Sequence, residues 1–258
     1  MDRLPAPADN WALFLDFDGT LVEIADRPEA VVLPHDLAGR LARLDRAFDG
    51  AVAIVSGRSL ADLDAVLQPL RLPLAGLHGI ERRDARGAIH GDADAGARLD
   101  GIREAVEGFA AARSGLLVED KGSAIAIHYR AAPERREEVA AFLERQRRRL
   151  GNDFHVQAGK QVFELKPGGR DKGDAVRAFM DEPPFAGRIP VFVGDDRTDE
   201  DAFSAANALG GHSMRVGDHR DTTAAQCTLP SVAATLTWLD GLPDRLGDTA
   251  PQGPAEAP

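Results

Sequence analysis

The stretch Asp16-Phe17-Asp18-Gly19-Thr20-Leu21 directly follows the apolar run Trp11-Ala12-Leu13-Phe14-Leu15. An apolar run without alternation is typical of a parallel strand that is buried on both faces. Two carboxylates after its carboxyl end then lie where open α/β sheets bind their ligands. Alternate side chains of an extended segment point the same way, so Asp16 and Asp18 are expected to lie side by side. An isolated Asp-x-Asp is usually an acidic turn, and the rest of the chain must decide.

Two further apolar runs end in chemically active residues. Residues 51–55 are followed by Ser56-Gly57-Arg58, and residues 189–193 by Gly194-Asp195-Asp196. Ser59 and Asp62 have the spacing of a capping box, which leaves Ser56 to face the end of its strand. Because parallel strands end at one edge of a sheet, the three runs are expected to build one site.

Composition limits the function classes. The chain has 258 residues, 43% of them hydrophobic and 28% charged, which predicts a soluble globular protein. Its net charge of −11 argues against nucleic acid as a partner. No run approaches a membrane span, and the first residues do not resemble a signal peptide. The single cysteine, Cys227, excludes an internal disulfide. We therefore expect a cytoplasmic monomer that acts on a small molecule.

The order of elements predicts two domains. Strand and helix alternate at both ends of the chain, whereas residues 95–167 repeat a helix-strand-strand unit twice, which is typical of an α+β module with an antiparallel sheet. The fold-class prediction is α/β, with a Rossmann-like parallel-sheet core over residues 1–94 and 168–242. An α+β module is predicted to be inserted at 95–167. Residues 243–258, rich in Pro, Gly and Ala, are predicted to be a disordered tail.

The predicted acidic cluster favours metal-assisted phosphoryl transfer. Clustered carboxylates raise one another's pKa unless a cation neutralises them, and an all-oxygen set suits Mg²⁺. With a lysine nearby, one aspartate can attack phosphorus and another can move the proton. Only four of the 31 basic residues are lysines, so lysine is expected where a compact charge is needed; they are Lys121, Lys160, Lys166 and Lys172.

Four motifs, in order, resemble those of the haloacid dehalogenase superfamily: Asp16 to Leu21, Ser56-Gly57-Arg58, Lys172-Gly173, and Gly194-Asp195-Asp196 with Asp199-Glu200-Asp201. The resemblance implies that Asp16 is the nucleophile and Asp18 the general acid/base, with Lys172 as a third catalytic residue. It implies phosphate binding by Thr20, Ser56, Gly57 and Lys172. It also implies a Mg²⁺ site made by Asp16, Asp18 (through its backbone carbonyl) and Asp195, supported by Asp196 or Asp199.

The inserted module lies between the serine and lysine motifs, as does the cap of sugar phosphatases in this superfamily. Within that group the chain resembles the trehalose-6-phosphate phosphatase family over about residues 11–240. The matching stretches are residues 56–58, 76–81, 119–123, 128–130, 159–167 and 194–201. The resemblance implies sugar contacts by cap residues Glu119, Lys121, Arg130, Lys160 and Glu164.

Several of these residues also have simpler interpretations. Thr198 could cap a helix whose first turn contains Asp199. Asp199 could therefore either interact with the dipole of that helix or belong to the metal site. Lys160 and Glu164 alternate onto one strand face with Lys166, which an exposed strand would explain equally well. His128 could contact substrate or be half buried in its strand, and the role of His78 is open.

The acidic cluster together with this resemblance implies a Mg²⁺-dependent phosphatase that hydrolyses trehalose 6-phosphate through a phosphorylated Asp16. The first alternative is a phosphatase for sucrose, mannosylglycerate or hexose phosphates, with the same core and different cap contacts. The second is a catalytically silent regulatory module, for which degraded motifs would be expected.

Overall fold

The computed structural model describes residues 4–25, 31–91, 95–217 and 222–248. The chain divides into two compact units: Met1–Ile89 together with Asp171–Pro258, and His90–Arg170. We call the first the core unit and the second the cap unit. The predicted α/β class with an inserted α+β module is confirmed.

The first part of the chain forms β1 (Trp11–Leu15), α1 (Leu37–Ala47), β2 (Val52–Val55), α2 (Leu60–Leu67), β3 (Leu74–Gly76), β4 (Glu81–Arg83) and β5 (Ile89–Gly91). The cap unit continues with α3 (Ala95–Ala111), β6 (Leu117–Asp120), β7 (Ile125–His128), α4 (Arg136–Leu150), β8 (Phe154–Gly159) and β9 (Val162–Pro167). The last part forms α5 (Lys172–Met180), β10 (Ile189–Gly194), α6 (Glu200–Ala208), β11 (His212–Val216), β12 (Cys227–Leu229), α7 (Val232–Asp240) and α8 (Leu242–Asp248).

Strand β1 lies inside the core sheet. The strands from β12 to β4 follow the order β12-β11-β10-β1-β2-β3-β4, and all neighbours except β3 and β4 are parallel. The chain builds one half of this sheet outward from β1 through β2 and β3, and the other through β10, β11 and β12. Strand order therefore reverses beside β1, and such a switch point opens a crevice at the carboxyl ends of the strands.

Both faces of the core sheet are buried. Leu13 and Leu15 pack into one apolar cluster with α1, α2 and α7, and Phe14 packs into another with α5 and α6. This two-sided burial explains why β1 reads as a continuous apolar run.

The cap unit is one antiparallel sheet with two helices. Its strand order is β6-β7-β9-β8, and one sheet face shares an apolar cluster with α3 and α4. Phe163 and Leu165 lie on that face, whereas Glu164 and Lys166 alternate onto the other. The polar residues predicted to contact sugar therefore belong mainly to the face opposite the helices.

Two local predictions are wrong. Residues 243–248 of the predicted tail belong to α8, because Leu242 is fully buried and Leu246, one turn later, packs against the same core. Pro243 is tolerated there because it lies in the first helical turn. Residues 249–258 of the predicted tail lie outside the described residues.

Among the described residues, no helix has the length and apolar composition needed to cross a membrane.

The second error concerns Thr198. The cap residue is Asp196, whose carboxylate accepts a hydrogen bond from the Arg197 N–H at the start of a 3₁₀ turn, Arg197–Asp199, that leads into α6. An aspartate two positions earlier thus takes the role assigned to the threonine, because the chain enters the helix through this additional turn.

Candidate active site

Three neighbouring strand ends form the site. Asp16 follows β1, Ser56 follows β2 and Asp195 follows β10, and β1 pairs with the other two strands in parallel. The Asp16 N–H donates to the carbonyl of Val193, which continues the ladder to the point where the acidic residues begin. The sheet register therefore brings together residues up to 179 positions apart in the sequence.

Lys172 joins these strand ends from the first position of α5. Its Nζ lies 2.7 Å from Asp16 Oδ1 and 2.6 Å from Asp199 Oδ1, and its side chain is 2% exposed. The backbone here is fixed by a capping box between Asp171 and Asp174. Burying an ammonium is costly unless it is paired, and two carboxylates here compensate a single Lys172 charge.

Asp199 uses both of its carboxylate oxygens. Oδ1 accepts from Lys172, while Oδ2 accepts from the backbone N–H groups of Asp195 and Asp196, both at 3.0 Å. The side chain is fully buried. Asp199 therefore fixes the backbone after β10 and positions Lys172. The sequence predicted either a helix-terminal role or a metal-site role for Asp199. It did not predict that Asp199 binds both Lys172 and the backbone after β10.

The acidic cluster carries excess negative charge. Oxygens of Asp16, Asp195 and Asp199 lie within 4.8 Å of one another, and all three residues are buried. Burial raises the pKa of Asp16 well above its ordinary value, and Asp199 raises it further, against the opposing effect of Lys172. Burial, together with Asp199 and Asp196, raises the pKa of Asp195 to about 7. Burial alone would lower the pKa of Lys172, but Asp16 and Asp199 raise it, so its amine stays protonated.

A divalent cation fits this cluster. When ionised, the three carboxylates carry two more negative charges than Lys172 neutralises. Asp195 Oδ1 is buried without a hydrogen-bond partner among the described residues, which is costly unless a ligand occupies it. Asp196 is exposed and engaged in its cap, so the structure does not bring it into the cluster.

The residues predicted to bind phosphate lie around Asp16. Thr20 Oγ1 is fully buried and has no hydrogen-bond partner among the described residues, and Ser56 is 1% exposed. Gly19 has φ +83°, and a Cβ there would lie 2.1 Å from Asp195 Oδ2. Only glycine therefore allows the acidic loop after β1 to approach the loop after β10 this closely.

Asp18 does not share the surroundings of Asp16. Its two oxygens accept from Arg58, with Nε 2.7 Å from Oδ2 and Nη2 2.8 Å from Oδ1. Asp18 is thus paired with a guanidinium, whereas Asp16 is paired with the Lys172 ammonium. The chain turns between them, because Phe17 is buried in the core and its carbonyl accepts from Leu21 and Val22.

In the cap unit, two of the predicted sugar contacts are ion-paired to each other. Lys121 Nζ lies 2.8 Å from Glu164 Oε1, and Glu164 is buried. Glu119 Oε2 lies 2.8 Å from Nε2 of His128. Arg130 follows β7, and Lys160 lies on the exposed turn between β8 and β9 rather than on a strand. The alternation assumed for Lys160 therefore fails at the turn, while it holds for Glu164.

Known proteins resemble this chain over most of its length. The trehalose-phosphatase family model matches residues 14–229. A probable trehalose-phosphate phosphatase of Sinorhizobium fredii is 43% identical over 91% of this chain and 88% of that protein. The trehalose-6-phosphate phosphatase of Escherichia coli K12 is 42% identical over 93% and 89%. The chain belongs to the trehalose-phosphatase family. A crystal structure of a trehalose-6-phosphate phosphatase related protein superposes with a TM-score of 0.78 at 28% identity, covering 92% of this chain and 98% of that one.

The family match includes both units. It extends from β1 to β12 and therefore contains the acidic cluster, Lys172 and the whole cap sheet. Two contacts near the predicted site residues were not predicted from the sequence: the pairs Arg58–Asp18 and His128–Glu119. Glu119 pairs with Ala126, two residues before His128, so strand alternation puts Glu119 and His128 on the same sheet face, and this was the available signal.

The raised pKa of Asp195 predicts a pH-dependent stability. In metal-free protein, folded Asp195 keeps a proton up to a pH of about 7, whereas the unfolded chain releases it near 3.8. The free energy of unfolding should therefore fall as pH rises through this window, by roughly 1.4 kcal/mol per pH unit for one such group. Urea unfolding of wild type and Asp195→Asn in chelator, from pH 4.5 to 7.5, measures the difference, and the variant should lose less stability.

Asp153→Asn is the control, because it removes a carboxylate that is 76% exposed. Its pH dependence should match that of wild type. Identical slopes in wild type and Asp195→Asn would contradict the effect of burial on Asp195.

Proposed function

We propose that the protein hydrolyses trehalose 6-phosphate to trehalose and phosphate, with Mg²⁺ as its cofactor. The observation that carries the reaction type is the buried cluster of Asp16, Asp195 and Lys172 at the switch point of the sheet, near the Thr20 hydroxyl, which has no hydrogen-bond partner among the described residues. Membership of the trehalose-phosphatase family and the names of its 42–43% identical relatives support the substrate.

Asp16 is proposed as the nucleophile. One of its carboxylate oxygens attacks phosphorus while the bond from phosphorus to the sugar oxygen breaks, and Asp18 gives its proton to that oxygen. Water then attacks the phosphorylated Asp16, losing a proton to Asp18 and freeing the Asp16 carboxylate. Thr20, Ser56, the backbone of Gly57 and Lys172 would bind the phosphoryl oxygens, whose negative charge their donors and the ammonium complement.

Mg²⁺ would be held by Asp16, Asp195 and the backbone carbonyl of Asp18. When bound, it would neutralise the carboxylates and the phosphoryl group, since Mg²⁺ favours a few carboxylates with water and phosphate oxygens. Asp199 would support this set indirectly, because its oxygens are already engaged by Lys172 and two backbone N–H groups.

The sugar would be bound by the cap residues Glu119, Lys121, Arg130, Lys160 and Glu164. Carboxylates and ammonium groups complement the donors and acceptors of sugar hydroxyls, and Glu164 and Lys121 are already ordered by their mutual contact. A related sugar-phosphate phosphatase is the alternative that this part of the proposal must exclude. The monomeric state and cytosolic location stay predictions from the sequence.

Phosphate release from a panel of sugar phosphates tests the function directly. Trehalose 6-phosphate should have the highest kcat/KM, ahead of sucrose, mannosylglycerate and hexose phosphates. Excess chelator should abolish turnover, and Mg²⁺ added above the chelator should restore it. Preference for a hexose phosphate would overturn the substrate, whereas full activity in chelator would overturn the cofactor.

Asp16→Asn tests the covalent mechanism. The amide is a poor nucleophile, so turnover should fall to background, and rapid acid quenching should find no protein-bound phosphate. Asp45→Asn replaces another aspartate of the core unit outside the proposed site, and its turnover should be near that of wild type. Residual turnover above a few per cent in Asp16→Asn, without recovery of the aspartate by deamidation, would contradict the mechanism.

Lys160→Ala and Glu164→Gln test sugar recognition. Each loses a charged hydrogen-bonding group worth about 1.5–3 kcal/mol, so kcat/KM for trehalose 6-phosphate should fall about 10- to 100-fold. The kcat/KM for p-nitrophenyl phosphate should stay within a few-fold. Arg148→Ala removes an exposed cation from α4 of the same unit and is the matched control. Equal losses on both substrates would contradict a role in binding the sugar.

A further inference from the structure

Arg58 and Asp18 form a bidentate ion pair across two neighbouring strand ends. Both carboxylate oxygens of Asp18 accept from one guanidinium group, at 2.7 and 2.8 Å. Two parallel N–H···O bonds fix both the position and the plane of a carboxylate, which a single contact cannot do. The pair therefore determines where the proposed general acid/base lies.

The backbone of Arg58 is itself held firmly. Its N–H donates to Ser56 Oγ at 3.2 Å, and its carbonyl accepts from the Leu77 N–H at 2.9 Å. A Cβ on the preceding Gly57 would lie 2.7 Å from Cε1 of His78, so a larger residue there would have to displace that ring. The guanidinium also lies over the buried ring of Phe17, 5.2 Å from its centroid. Arg58 is thus a fixed point beside Asp18.

The two partners differ in exposure. The Arg58 side chain is 11% exposed and that of Asp18 is 36% exposed, so the pair is shielded on the arginine side and accessible on the aspartate side. A carboxylate in this fork acts only as an acceptor. Each Asp18 oxygen keeps a second lone pair outside the fork, so the accessible side of the carboxylate can take or give a proton while Arg58 holds the group in place.

We propose that Arg58 is a positioning residue for proton transfer by Asp18. This inference rests on the proposed function, because it assumes that Asp18 is the general acid/base. By fixing the position and plane of the carboxylate, Arg58 holds Asp18 in one orientation for both proton transfers, to the leaving sugar oxygen and from the attacking water.

The dependence of rate on the leaving group tests this role. A leaving group of low pKa departs without protonation, whereas an alkoxide needs the acid. Because kcat/KM reports steps up to the first irreversible one, a series of p-nitrophenyl, phenyl and simple alkyl phosphates isolates the first transfer without any sugar contact. In Arg58→Met, kcat/KM for the alkyl phosphate should fall about 10- to 100-fold, within the range for general acid/base catalysis. For p-nitrophenyl phosphate it should change less than about threefold.

Asp18→Asn in the same series separates this inference from the proposed function. It should show the same selective loss, larger than that of Arg58→Met. If Asp18→Asn shows no leaving-group dependence, the proposed role of Asp18 fails. If it shows the dependence and Arg58→Met does not, Asp18 stands and the inference about Arg58 fails.

A double-mutant cycle and two further variants complete the design. Arg58→Met should cause little additional loss in the Asp18→Asn background, because it acts through Asp18. Arg58→Lys should recover only part of the activity, since an ammonium cannot form the fork. Arg83→Met breaks a buried arginine pair with Asp64 elsewhere in the core unit and should leave the leaving-group dependence unchanged. A change in that control, or full additivity in the cycle, would overturn the inference.

Discussion

The site depends on the ion pairs that the buried ammonium of Lys172 forms with Asp16 and Asp199. Lys172 joins the end of β1 through Asp16 and the start of α6 through Asp199, and each distance is below 2.8 Å. Three buried carboxylates could not all remain ionised this close together without a cation, because desolvation and mutual repulsion both disfavour their charged forms. Lys172 offsets part of that charge permanently, and the remainder creates the demand for a divalent ion. Structural support and cofactor binding thus share one electrostatic cause.

The same ion pairs also help to fix the backbone of the loops that carry the acidic residues. Asp199 turns toward Lys172 with one oxygen and fixes the N–H groups of Asp195 and Asp196 with the other. Gly19 lets the loop after β1 approach Asp195, where any side chain would collide. The carboxylates of the cluster are therefore oriented by fixed loops on rigid strands, and little reorganisation is needed when charge develops during reaction.

Sequence predicted the strands and the site region for a clear physical reason. Buried parallel strands are continuous apolar runs, and their carboxyl ends meet at one edge, so Asp16, Ser56 and Asp195 could be brought together from the pattern alone. Scarce lysines also marked useful positions, since Lys172 and Lys121 form buried or part-buried ion pairs. Pairs such as Arg58–Asp18 follow no periodicity, because they depend on loop conformation. The helix of residues 242–248 was missed because tertiary packing of Leu242 outweighed a composition rich in Pro and Gly.

Reaction and specificity place different demands on charged groups. In the core unit, charges must stay where they are, because attack and proton transfer tolerate little displacement. In the cap unit, the Lys121–Glu164 pair satisfies two charged groups before any sugar arrives. A sugar that separates them must offer both an acceptor for the ammonium and donors for the carboxylate. A sugar that offers only the acceptor or only the donors leaves one charged group unpaired. That penalty discriminates between sugars more strongly than an added apolar contact would. A closed ion pair is therefore consistent with the proposed sugar site, where its opening would be the step at which a wrong substrate is rejected.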